Sequence, residues 1–158
     1  MRLSLALLVM IMTAQASRAA DYHALWLYNG AWEVTRKAGA KPEQLKNECA
    51  LVGEFFACQQ TVNGQLSALI VFVPKEKPGQ FYTQSINPQG RATGRGDLEI
   101  SGDHWTFTSN WDEGGKTTFY RTTNLFSGKS HIHFEQEEST DGKQWKVTGS
   151  GDEVRANH

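Results

Sequence analysis

From Asn63 onward, glycine-containing turn signals recur at short intervals: Asn63-Gly64, Asn87-Pro88-Gln89-Gly90, Ser101-Gly102-Asp103, Gly114-Gly115, Ser127-Gly128 and Asp141-Gly142. Between them lie runs rich in Thr, Val, Phe, Tyr and Trp that alternate apolar and polar residues. Gly-rich turns bounding period-two runs specify antiparallel hairpins, so the chain reads as a long β-meander. A long meander must protect its edge strands, and closing into a barrel is the simplest way to do so. The expected fold is therefore all-β, a single antiparallel up-and-down barrel of about ten strands, with a short N-terminal helix or cap. Such a barrel suits a container better than a catalyst.

The first twenty residues stand apart. Arg2 precedes an apolar run from Leu3 to Met12, and small residues follow at Ala14-Gln15-Ala16 and Ser17-Arg18-Ala19. That is the pattern of a secretory signal peptide. The apolar run is well short of the roughly 20 residues that span a bilayer. The expected organisation is a signal peptide over 1–20 and one barrel domain over 21–158, exported to a periplasmic or extracellular compartment. Losing Arg2 and Arg18 leaves 14 basic against 17 acidic residues, so net charge moves from −1 to −3. With no basic tract, nucleic acid and anionic membrane are poor partners.

The two cysteines flank a turn. Gly53-Glu54 suits a two-residue hairpin loop, which sets Val52 opposite Phe55, Leu51 opposite Phe56, Ala50 opposite Ala57 and Cys49 opposite Cys58. A non-hydrogen-bonded pair brings its Cα atoms to about 4.5 Å, inside disulfide range. An exported chain meets an oxidising compartment, so a Cys49–Cys58 disulfide is expected. Two cysteines with no histidine nearby make a poor zinc site.

The remaining strands are expected at Gly30 to about Lys37, Gln65 to Val73, Phe81 to Asn87, Arg91 to Ile100, His104 to Trp111, Lys116 to Ser127, His131 to Glu138 and Gln144 to Val154. Turn lengths then assign faces. A two-residue turn at Asp141-Gly142 sets Glu138 opposite Trp145 and Gln136 opposite Val147. One at Gly128-Lys129 sets Leu125 opposite Ile132 and Arg121 opposite Gln136. A three-residue Glu113-Gly114-Gly115 loop sets Phe107 opposite Arg121. The inner face then carries Leu98, Ile100, Trp105, Phe107, Phe119, Arg121, Thr123, Leu125, Ile132, Phe134, Gln136, Trp145 and Val147. Gly94, Gly96 and Gly149 leave space beside them.

An inward Arg121 needs a partner, because an unpaired buried guanidinium is costly. Two roles are open. Arg121 could grip an anionic head with Gln136, Thr123 and Ser109, while Trp105, Phe107, Phe134 and Trp145 line an apolar cavity. It could instead stack on Trp32 and close the barrel end. His131-x-His133 places two imidazoles on one strand face, but that face is outward, beside Glu135 and Glu137, with no third ligand. No metal or cofactor is expected. Nucleophile, zincin, phosphate-loop and dinucleotide motifs are absent from the sequence.

Gly30-Ala31-Trp32, placed at the start of the first strand after the aromatic segment Tyr22 to Tyr28, resembles the Gly-x-Trp signature of the lipocalin/calycin families. The chain also resembles small exported bacterial proteins of an uncharacterised family with a lipocalin-like barrel. The resemblance implies a barrel that binds small, mostly apolar ligands, with Trp32 closing its floor and a late-strand arginine, Arg121 or Arg155, lying across the ring. Ten strands suit the fatty-acid-binding and nitrobindin-like members better than eight-stranded lipocalins. The expected function is an exported binding protein for a small hydrophobic or amphipathic molecule, which can be anionic. The rivals are a periplasmic protein-binding or inhibitor module using its surface or N-terminal segment, and a calycin-type isomerase or cyclase, which would need a titratable group inside.

Overall fold

The computed structural model describes residues 21–36 and 41–156; the expected signal peptide lies outside them. A 3-10 helix, Ala24–Tyr28, leads into ten strands: β1 (Gly30–Thr35), β2 (Glu43–Val52), β3 (Phe55–Val62), β4 (Gln65–Pro74), β5 (Gln80–Ile86), β6 (Gly96–Ser101), β7 (His104–Glu113), β8 (Lys116–Ser127), β9 (His131–Ser139) and β10 (Lys146–Arg155). Every neighbour pairs antiparallel, and β1 closes on β10, giving an up-and-down barrel without free edges. Among the described residues no helix is long and apolar enough to cross a membrane.

The β2–β3 hairpin has the expected register, with Val52 opposite Phe55 and Cys49 opposite Cys58. Cys49 and Cys58 form a disulfide across it, with Cα atoms 4.0 Å apart. Strand β6 is shorter than expected. Residues 87–95 form a loop instead, organised by Asn87, whose side-chain oxygen accepts the backbone N–H groups of Gln89 and Arg91. Gly94 and Gly96 do not border empty space. A Cβ on Gly94 would sit 1.9 Å from Asn110 Oδ1, and one on Gly96 2.1 Å from the Thr108 carbonyl oxygen.

The phase of β8 differs from expectation. Gly114 and Gly115 both have positive φ and make a two-residue turn, so Glu113 faces Lys116 and Phe107 faces Thr122. At its other end β8 turns through three residues, Gly128 to Ser130, so Ser127 faces His131 and Phe126 faces Ile132. The two one-residue differences compensate. Strands β7 and β9 keep their expected inner faces, while β8 turns over. Thr122, Asn124 and Phe126 face inward, and Arg121, Thr123 and Leu125 face out, each opposite an outward residue of β9. Strand β10 also departs. Lys146 pairs with Glu138, and a bulge between Val147 and Gly149 resets the ladder. Trp145 and Val147 therefore lie outside, with Val147 half exposed.

The main buried cluster occupies one half of the barrel, with Val34 and Phe134 buried outside it. Tyr22, Leu25, Trp32, Phe56, Phe72, Phe81, Leu98, Trp105, Phe126 and Ile132 pack with Cys58 into one cluster. All sit toward the end where the 3-10 helix plugs the barrel, near the β2–β3, β4–β5, β6–β7 and β8–β9 turns. Tyr22 stacks between Phe56 and Phe81, and its hydroxyl donates to the Glu54 carbonyl at 2.5 Å. Toward the other mouth the inward positions become polar: Glu43, Asn47, Gln60, Thr83, Ser85, Ser109, Thr122, Asn124, Gln136 and Glu153. This switch from apolar floor to polar upper half locates the site.

Candidate functional site

The floor is built around Trp32. Its indole N–H donates to the Tyr28 carbonyl at 3.2 Å, and the Arg155 guanidinium lies 4.4 Å above its ring centre. Arg155 also donates to the carbonyls of Lys129, Asn29 and Leu27 at 3.0, 3.0 and 2.8 Å. One side chain thus ties the 3-10 helix and the β8–β9 turn to β1. Gly30 permits this crossing: a Cβ there would stand 2.6 Å from Arg155 Nη1, and its φ of 127° disfavours other residues. The Gly-x-Trp spacing has a mechanical basis in this chain, with Arg155 as the arginine.

Above the floor lies a cavity space of two adjacent lobes that share Tyr28, Gln60, Thr122 and Gln136 as lining residues. The larger, about 330 Å³, is walled by Ile70, Phe72 and Phe107 and by the hydroxyls of Thr83, Ser85, Thr93 and Ser109. The smaller, about 230 Å³, reaches the mouth and holds Arg36, Glu43, Asn124, Phe134 and Glu153. Tyr28 projects up through the floor, stacked on Trp105 with ring centres 5.5 Å apart. Burial, and then the charge of Glu153, push its phenol well above the ordinary tyrosine range.

Two buried amides are incompletely satisfied, Asn124 at the smaller lobe and Asn47 beside Gln60. Asn124 Nδ2 donates to the Tyr28 hydroxyl, and Asn124 Oδ1 has no partner. Turning the amide over would strand Nδ2 instead, so either orientation leaves one polar atom open. Asn47 Oδ1 accepts from Gln60 Nε2 at 3.2 Å, and Asn47 Nδ2 has no partner. Both residues are at most 2% exposed. Orphaned polar groups at that depth cost about 1–3 kcal/mol each, which a bound molecule or water can recover.

Glu153 is the other uncommitted group. It makes no side-chain hydrogen bond or ion pair among the described residues. Desolvation raises its carboxyl to about 7, opposed in part by Arg36. Arg36 is itself engaged at the mouth, 3.0 Å from Glu43 and 3.5 Å from Gln136 Oε1.

Of the residues expected at the site, Phe107, Phe134 and Gln136 line this cavity, and Trp105 packs beneath it in the floor. Arg121, Thr123 and Trp145 do not reach it. Arg121 sits on the outer wall, where Nε and Nη2 donate to Glu137 at 2.5 and 2.8 Å and the guanidinium lies 4.3 Å over the Trp145 ring. It neither grips an interior anion nor stacks on Trp32. That hydrogen-bonded pairing lowers the Glu137 carboxyl. His131 and His133 share Asp152 Oδ1 at 3.2 and 3.0 Å on the same outer wall.

Tyr28, Thr122, Asn124 and Glu153 are absent from the sequence expectation. Thr122 and Asn124 follow from the phase of β8. For Glu153 the signal was available, because the inward phase assigned to Gly149 continues through Gly151 to Glu153.

Because Arg121 is a third exposed and acts on the outer wall, Arg121→Leu is expected to cost no more than about 1 kcal/mol in urea unfolding. The variant should leave interior binding unchanged. An affinity loss of tenfold or more would place Arg121 back at the ligand.

Comparison of the chain with protein-family models, curated proteins and solved structures finds no match in any of the three.

Proposed function

We propose that this is an exported binding protein that holds one small amphipathic molecule in the upper half of its barrel. The observation that carries the reading is the Asn124 amide, nine-tenths buried or more and bordering the smaller lobe with one polar atom unpartnered. A filled core would have no use for that group, whereas a pocket needs a few polar groups to orient its ligand. Phe107, Ile70 and Phe72 supply apolar wall, and Gln60, Thr122 and Gln136 bridge the lobes. Kinship with the lipocalin/calycin families belongs to the same reading, supported by Gly30, Trp32 and the Arg155 stack. Export is supported by the leader-like pattern of residues 1–20 and by a disulfide, a bond favoured in oxidising compartments.

The neutral fluorescent probe N-phenyl-1-naphthylamine is expected to bind with saturable 1:1 enhancement. Thr122 borders both lobes, so Thr122→Trp should abolish that enhancement while the fold persists by circular dichroism. Gln60→Trp serves as an independent blocking variant. Enhancement that survives both substitutions would move binding off the interior.

A protein-binding role is favoured by a different observation. Trp26, Leu51, Val52 and Phe55 are 42–61% exposed around the β2–β3 hairpin tip and the 3-10 helix. That is an apolar rim on the plugged end, of the kind partners cover. The segment Tyr22 to Tyr28 is not a free arm, because Leu25 is fully buried and Tyr22 nearly so.

A further inference from the structure

We infer that the molecule held in the barrel carries a cationic, hydrogen-bond-donating head, a primary or secondary ammonium, and that Glu153 is its counter-ion. This rests on the reading of the interior as a binding site and names the class of its ligand.

Charge and donor balance inside the closed wall point to that head. Glu153 comes inward because the bulge after Val147 sets Gly149, Gly151 and Glu153 on one face. Gly149 and Gly151 put no bulk beside it. At Gly151 a Cβ would meet the Thr35 carbonyl oxygen and the Phe134 ring, so the wall packs tightly on the mouth side of Glu153. Glu153 is thus the one long side chain that β10 sends into the lobe. Its carboxyl borders the cavity and has no donor among the described residues.

Among the described residues the charged and titratable groups facing that space are few. Arg36 comes from the end of β1 and Glu43 from the start of β2, and these two pair with each other. Tyr28 comes from the 3-10 helix and stays protonated. From β9 the inward residues are Phe134 and Gln136, while His131 and His133 face out onto Asp152. Arg155, on the same face of β10, is committed to three carbonyls and the Trp32 ring at the floor. With Arg36 and Glu43 cancelling, an ionised Glu153 leaves the lobe one negative charge in excess among the described residues. A carboxylate head would add a second beside it, a repulsion that low dielectric makes severe. An ammonium would neutralise Glu153 and bring N–H donors to a cavity rich in acceptors: the Glu153 oxygens, the amide oxygens of Gln60 and Gln136, and the hydroxyls of Thr122 and Ser109. The apolar tail then lies against Ile70, Phe72 and Phe107 in the larger lobe.

The test is displacement of bound N-phenyl-1-naphthylamine at pH 8 by n-hexylamine, n-hexanol and hexanoate, three probes that share a tail and differ in head. The expected result is that hexylamine displaces the probe at a concentration at least tenfold below the other two. In Glu153→Gln, which keeps shape and removes the charge, that preference should disappear while hexanol displaces as before. Hexanol or hexanoate acting as well as hexylamine on the wild type would overturn the ammonium assignment and leave interior binding standing. A preference for hexylamine that persists in Glu153→Gln would overturn the role of Glu153. Failure of the fluorescent probe to bind at all would overturn the interior site together with this inference.

Discussion

Trp32→Ala is expected to lower stability by about 3–5 kcal/mol, read as a reduced urea midpoint with little change in slope. The indole is 1% exposed and packs in the single core cluster, so truncation removes a large apolar surface and leaves a cavity that a closed barrel cannot collapse. It also removes the ring under the Arg155 guanidinium and the N–H bonded to the Tyr28 carbonyl. Arg155 keeps its three backbone carbonyls, so the charge stays partnered, and the loss should be one of packing. Trp32→Phe, which retains a ring for Arg155, should recover part of the loss. A change below about 1 kcal/mol in Trp32→Ala would mean that the 3-10 helix and Arg155 hold the floor without it.

The second large effect is a pH dependence of stability centred on Glu153. Its carboxyl is raised from 4.5 to about 7 in the folded protein by burial. Between these values the unfolded chain has released the proton and the folded chain retains it, so the native state binds more protons and stability falls as pH rises. Below about pH 4.5 both states are protonated and the penalty is absent. Above about pH 7 both are ionised and the penalty is complete, at about 3 kcal/mol for a shift of this size. Glu153→Gln should therefore match the wild type near pH 4 and exceed it by about 3 kcal/mol at pH 8. Taking the difference between the two proteins cancels His131, His133 and the surface carboxylates. Parallel stability curves across pH 4 to 8 would show that Glu153 is solvated as freely in the barrel as in the unfolded chain. By linkage, an ammonium ligand should bind more tightly as pH rises through 7, in step with the same ionisation.

The ten-strand meander was legible because its turns are spelled in glycine, and the Cys49–Cys58 pairing because Gly53-Glu54 admits one loop length. The interior was harder. Gly114-Gly115 fits a two-residue turn and also a three-residue loop with a left-handed glycine, and the choice decides the face of every β8 side chain. One physical signal favoured the shorter turn: it puts Thr122 and Asn124 inside in place of Arg121 and Thr123, sparing the barrel an unpaired guanidinium. The bulge after Val147 had no such signature. A separate one-residue shift comes first, where the Asp141 carboxylate gathers the N–H groups of Lys143 and Gln144 and Glu138 pairs with Lys146 instead of Trp145. Arg155 could be placed over Trp32 only as one of two candidates, because the alternative rested on the same uncertain face of β8. The polar upper half was invisible for a different reason. Asn47, Gln60 and Asn124 alternate along their strands like outward residues, and only the closed register reveals that they face inward, Gln60 and Asn124 onto the cavity.

A small molecule held inside the barrel, above the Trp32 floor, should travel with the protein. The measurement is native mass spectrometry of the protein, disulfide intact, isolated gently from the cells that express it, beside Thr122→Trp prepared identically. The wild type is expected to carry the mass of one small molecule beyond its polypeptide, an amine by its fragmentation, and Thr122→Trp is expected to carry none. Wild type and Thr122→Trp both travelling with the same added mass would contradict interior binding, because the molecule would then sit outside the barrel. A wild-type polypeptide that is bare, and stays bare when hexylamine is added in excess, would contradict it as well.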